Sequence, residues 1–173
     1  MESNLRIGSV YEVEHWGKCR FRSEAYYLLE ESADPNVVPD AALNKLLDIM
    51  FHGESAISPW YILLFNDDVT PGAGATYATP GFTESTNYSE STRAEFNEAA
   101  ASEESLSNGA NKASFTMSAS ETIYGAALVS NSTKGDTTTA GAVLFGAARF
   151  GSPKGVASDE VLKVTVTISA SST

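Results

Sequence analysis

Two histidines, His15 and His52, and one cysteine, Cys19, are the side chains in this 173-residue chain best suited to proton transfer or nucleophilic attack near neutral pH. His15 sits in an alternating stretch that reads as a strand. His52 falls at the end of a helical pattern, where an imidazolium would meet the helix dipole favourably. Neither is spaced to a second base or a ligand, so both read as structural. The sequence has no His-Glu-x-x-His pair, no Gly-x-Ser-x-Gly elbow and no Gly-Lys-Ser/Thr phosphate loop. Cys19, between Lys18 and Arg20, has no neighbouring base and reads as a small packed residue. A single cysteine also excludes an intrachain disulfide and a Cys-rich zinc site.

Among the acids, Asp67 and Asp68 beside Asn66 are hard oxygen ligands of the kind calcium prefers, yet their spacing fits no calcium loop. A strand-ending turn accounts for them. Glu84, Glu90, Glu95, Glu98, Glu103 and Glu104 surround the single Arg93. Glycoside hydrolysis needs two opposed carboxylates, but nothing singles out a pair here, and a solvated face or loop explains the cluster. The expectation is a protein that binds rather than catalyses, with no catalytic residue, metal or cofactor assigned.

The net charge of −11, with scattered Lys and Arg, would repel a phosphate backbone, so nucleic acid is not an expected partner. At 42% hydrophobic and 19% charged residues the composition is that of a globular domain. Met1 to Gly8 holds no apolar run and no stretch approaches bilayer length. Neither a secretory signal nor a membrane partner is expected, and synthesis belongs in the cytosol.

The elements that would position a binding surface are mainly strands. Ser9 to Arg22, carrying Val10, Tyr11, Val13, Trp16, Cys19 and Phe21, suggests a hairpin turning near Gly17–Lys18, Tyr26 to Leu29 reads as a further strand or a helical turn, and Glu30 to Pro39 reads as a connector. Residues 1–39 are therefore expected as an N-terminal hairpin or arm with its connector, and residues 40–173 as a β-sandwich domain, the whole forming one folding unit. After Pro39, Asp40 is a candidate N-cap. Leu43, Leu46, Leu47 and Met50 recur on one helical stripe, and Gly53 stands where a left-handed cap is needed. Ser58 to Asn66 predicts a buried central strand, Val69 to Phe82 a long Gly/Pro loop, and Thr92 to Ala101 a short helix. Strands follow at Lys112–Ser118, Glu121–Asn131, Ala140–Phe150 and Val161–Ser169, the middle two joined by a loop with Gly135–Asp136 near its tip. The fold class is mainly β: an antiparallel sandwich or jelly roll with one short helix, about residues 40–52, packed on it.

One asymmetry bears on function. Val161–Ser169 has a clean polar face, whereas the two hairpin strands are apolar on both. Ile123, Ala127 and Val129 oppose Tyr124, Ala126 and Leu128; Val143 and Phe145 oppose Leu144, Ala148 and Phe150. Something must cover the second face: either the helix or another chain.

The run PWYILLFN, the segment GFTESTNYSESTRAEF, the strand KASFTMS, the stretch TIYGAALVSNSTKGDTTTAGAVLFGAARFGSP and the closing VLKVTVTISAS together resemble virion structural proteins of tailed bacteriophages, most of all head decoration (cement) proteins. The resemblance spans about Ala41 to Ser171. It implies binding to the outside of the major-capsid-protein shell and stabilising it, as a dimer or trimer on the virion surface after synthesis in the bacterial cytoplasm. The residues expected to meet the capsid or a second copy are Val10, Trp16, Phe21, Tyr77, Phe82, Tyr124, Leu128 and Leu144. The alternative is a tail-fibre or baseplate module for host attachment, with Tyr77, Phe82 and Tyr88 as carbohydrate platforms.

Overall fold

A computed structural model describes residues 5–19 and 25–172. In chain order the elements are β1 (Leu5–Lys18), β2 (Tyr26–Pro35), α1 (Asp40–Phe51), β3 (Tyr61–Phe65), β4 (Glu84–Ser85), β5 (Ala94–Glu95), β6 (Ser105–Ser107), β7 (Ala113–Thr116), β8 (Glu121–Val129), β9 (Leu144–Val156) and β10 (Val161–Ser172). They form two five-stranded antiparallel sheets, consistent with a β-sandwich.

In the first sheet β1 lies between β2 and β10, and the far side of β10 is shared by β6 and β7. Between those two short strands the buried side chain of Asn108 takes over the ladder. Its Nδ2 donates to the Val164 carbonyl at 3.2 Å and its Oδ1 accepts from the Val166 N–H at 2.7 Å. An amide side chain serves here because it offers a donor and an acceptor in the geometry of a peptide. In the second sheet β3 is central, flanked by β4 and β5 on one side and by β8 and then β9 on the other.

Period-two alternation builds the space between the sheets. Tyr11 and Val13 of β1, with Leu162, Val164 and Val166 of β10, meet Ile62, Leu64, Ile123, Ala126, Leu128, Ala148 and Phe150 of the second sheet. Each fully buried aliphatic or aromatic side chain contributes about 1.5–3 kcal/mol.

Several sequence expectations change. Gly17 and Lys18 do not turn the chain; they continue β1, and Glu30 to Pro35 belong to β2 rather than to a connector. Gly17 lies close under the Tyr27 and Leu29 side chains, where a Cβ would stand 3.0 Å from Tyr27 Cζ. Of the expected hairpin or arm, the hairpin is present, as β1 and β2 pair antiparallel, but it is not a separate arm: β1 also pairs with β10 from Leu5↔Ser172 to Trp16↔Val161 and so is central to its sheet. Thr92 to Ala101 forms no helix; its Ala94 and Glu95 pair as a short strand with Ile62 and Tyr61. The polar face of β10 is partly covered, with Thr165 buried. Asp40 opens α1 but does not cap it; Pro39 takes the N-cap position and no side chain caps the first turn. Gly53 has the left-handed φ of 78° that glycine accommodates without strain.

The outer face of the second sheet is covered from within the chain, by a segment other than the helix. The Val69–Phe82 loop folds over it, setting Ala75, Tyr77 and Phe82 on Leu63, Phe65, Ala127, Val129, Leu144 and Ala147. Phe82 stacks on Phe65 with ring centroids 4.4 Å apart and an interplanar angle of 19°. Bulges also redistribute the faces. Register shifts at Ile123/Gly125 and Leu128/Val129 put Ile123 with Ala126 and Leu128 inside the sandwich, and Tyr124 with Ala127 and Val129 under the loop.

Candidate functional site

The eight residues expected to meet a partner do not share one surface. Tyr77, Phe82, Leu128 and Leu144 are buried within the chain, at 6%, 9%, 1% and 2% exposure. Tyr124 is half-buried beside the loop-covered cluster. Phe21 lies outside the described residues. Val10 is 40% exposed on the outer face of the first sheet. Trp16 is half-buried, its indole N–H donating to Glu14 Oε2 at 2.9 Å while Lys163 Nζ sits 4.7 Å from its ring centroid.

The loop that hides Tyr77 and Phe82 is fastened by a polar knot. The buried Arg93 guanidinium donates from Nε and Nη2 to the two Glu84 oxygens, from Nη1 to the Tyr77 hydroxyl and the Asn131 carbonyl, and from Nη2 to the Asp136 carbonyl. All its donors are used, so this charge is compensated rather than poised for a ligand. Tyr77 in turn donates to Asp136 Oδ2 at 3.0 Å. Burial raises the Tyr77 hydroxyl pKa, opposed by the adjacent Arg93. Asp136 is held well below the carboxylate range, chiefly by the Thr139 hydroxyl and also by the Thr138 N–H and hydroxyl.

His15 belongs to a second charged group between β1, β2 and β9. Its Nε2 is 2.8 Å from Glu160 Oε2 and its Nδ1 3.5 Å from Glu30 Oε1, while buried Lys154 reaches Glu30 Oε2 at 3.1 Å. The two ring nitrogens face different carboxylates, so these residues do not converge on one point where a metal or substrate atom could sit. Among the described residues there is no group of three or more His, Cys, Asp or Glu side chains that could hold a metal ion. Among the described residues no helix is long and apolar enough to cross a membrane. His52 is exposed at the end of α1 and Cys19 is half-buried and free.

The surface available to a partner comes from elsewhere. α1 sits at one end of the sandwich, fixed at its start where the Asp40 N–H donates to the Ala73 carbonyl at 3.0 Å. Only Ala42 of the helix is buried. The apolar stripe foreseen as core is therefore half open: Leu43 and Leu46 are half-buried, Leu47 is 53% and Met50 64% exposed, and the adjoining Phe51 is 81% exposed. With Leu43, Leu46, Arg6 and Ile7 they line an open groove of about 720 Å³. On the other flank Leu46 and Ile49 overhang a second apolar groove of about 310 Å³, floored by the edge-to-face pair Trp60 and Phe145. Adjoining exposed apolar side chains on a soluble domain mark interaction sites, because burying them elsewhere is favourable.

A second apolar patch lies at the opposite end of the first sheet. Tyr26, Tyr27, Leu28 and Leu29 are 40%, 54%, 44% and 45% exposed. Sequence reasoning noted Tyr26–Leu29 only as a strand or helical turn and assigned the α1 stripe to the core. Periodicity alone identifies an apolar stripe but not what lies opposite it. No protein-family model matches this sequence, and no curated protein matches it.

Proposed function

We propose that this protein decorates the head of a tailed bacteriophage, binding the outside of the major-capsid-protein shell and stabilising it. The observation that carries the reading is the α1 end of the sandwich. Three large apolar side chains, Leu47, Met50 and Phe51, stand exposed on α1 around a groove. The resemblance over Ala41 to Ser171 supplies the partner class, and the sandwich is a rigid platform for such a surface. Many weak contacts repeated over a shell would sum to tight attachment.

The tail-fibre reading depends on exposed aromatic platforms at Tyr77, Phe82 and Tyr88, all of which the chain itself buries. It keeps no specific support.

The test is to add purified protein to expanded shells that lack it. Stoichiometric binding and raised thermal or osmotic resistance are expected, with both lost in Met50→Glu/Phe51→Glu. Shells equally fragile with and without saturating protein would remove the proposal.

A further inference from the structure

β2 is an edge strand, and its first four residues are apolar on both faces. Leu28 pairs with Trp16 and Tyr26 with Lys18 on the outer face of the sheet, while Tyr27 and Leu29 lie across Gly17 on the inner one. An edge of this kind presents unpaired backbone groups beside exposed apolar side chains, which is a template for another strand.

Hydrogen-bond phase specifies which backbone groups are free. The Cys19 N–H donates to the Ala25 carbonyl at 2.7 Å, so Ala25 and, two residues on, Tyr27 direct their backbone groups toward β1. Tyr26 and Leu28 consequently present theirs to an edge that no strand among the described residues pairs with. The register shift at His15/Trp16 ends this simple phase at Leu29.

We propose that this segment pairs with the same segment of a second copy, antiparallel, about a two-fold axis through Tyr27. In that register each Tyr26 meets Leu28 of the second copy as a hydrogen-bonded pair on the outer face. The two Tyr27 residues meet as a non-hydrogen-bonded pair on the inner face, where side chains approach most closely.

A second copy is the occupant because the segment complements itself. A strand apolar on both faces needs a partner strand that is also apolar on both, and this segment supplies that as its own complement. The patch is small beside the 1,200–2,000 Å² of a standard stable interface, which makes the pairing weak and reversible in solution. The patch lies roughly 35 Å along β1 from the α1 groove, so both can be occupied at once. Two protomers of charge −11 repel, so added salt should strengthen the association.

The test uses the full chain in solution, without capsids, and so stands or falls apart from the decoration proposal. Sedimentation velocity should show a concentration-dependent monomer–dimer equilibrium that tightens with salt. Leu28→Pro removes a donor the monomer does not use, and should weaken dimerisation about tenfold or more with the circular dichroism spectrum intact. In a Cys19→Ser background, Tyr27→Cys should cross-link into disulfide dimers on mild oxidation, because the axis brings the two positions within bridging distance. Val10→Cys, exposed on the same sheet, should not. A chain that stays monomeric at every concentration and salt tested, or cross-linking by Tyr27→Cys no faster than by Val10→Cys, would overturn the proposal.

Discussion

Arg93 and Glu84 form a two-pronged ion pair, Nε to Oε1 at 2.9 Å and Nη2 to Oε2 at 2.6 Å, with side chains only 1% and 5% exposed. The pair joins the segment after the long loop to the Asn131–Asp136 turn, through the Asn131 and Asp136 carbonyls and the Gly135 N–H. It thereby holds the loop that closes the outer face of the second sheet.

Replacing Arg93 with Met should cost about 3–5 kcal/mol, because Glu84 is left as an uncompensated buried charge. Arg93→Lys should recover only part of this, since an ammonium cannot make the two-pronged contact. Urea denaturation of the two variants measures both. Equal stability of wild type and Arg93→Met would show that the knot is not structural.

Gly125→Ala should destabilise by about 1–3 kcal/mol or more through overpacking, as a Cβ there would strike the Phe65 ring and the Ala148 carbonyl. The same substitution should loosen the loop, because Phe82 rests on Phe65. Faster proteolysis within residues 69–82 is the readout that separates this from a loss confined to the inter-sheet core.

Tyr11 and Tyr88 should couple alkaline titration to unfolding. Burial lifts both hydroxyls far above the ordinary 10.0. A folded-state pKa above the unfolded value contributes stability that is complete below about pH 10 and declines as pH rises beyond it. Tyrosinate absorbance recorded beside circular dichroism should therefore show Tyr11 and Tyr88 ionising only as the fold is lost. A single smooth titration near pH 10 with an unchanged dichroism spectrum would contradict this.

Leu128→Ala and Leu144→Ala should each cost about 2–5 kcal/mol, because both side chains fill packed clusters. Met50→Ala and Phe51→Ala should stay within about 0.5 kcal/mol of wild type, as their side chains mostly face solvent. Thermal melts of the four variants check the contrast, and a large loss for either α1 variant would mean that the helix is packed more deeply than its exposure indicates.

Much of the strand content was legible because alternation is a local property. Phe115 and Met117, or Leu162, Val164 and Val166, declare a buried face by spacing alone, and the structure buries them. The β2 strand was obscured by Glu30, Glu31, Asp34 and Pro35, whose composition resembles a loop. Its pairing with β1 prevails because the ladder on a central strand outweighs local propensity. The candidate site was much less legible. Tyr77 and Phe82 lie in a Gly/Pro loop, and aromatic residues in such a loop give no sign of whether they face a partner or fold back.

The amino-acid sequence by itself determined the class of fold, the position of α1 and the surplus of apolar faces in β8 and β9, since each follows from composition and period over a few residues. Tertiary structure alone decided what that surplus is for. Two bulges reset the alternation, and the buried Arg93–Glu84 pair draws the Val69–Phe82 loop over one face, so the excess is consumed within the chain. The exposed apolar surface falls instead on α1 and on the first residues of β2, where a helix at the end of the sandwich and a strand at its edge have fewer neighbours than their patterns imply.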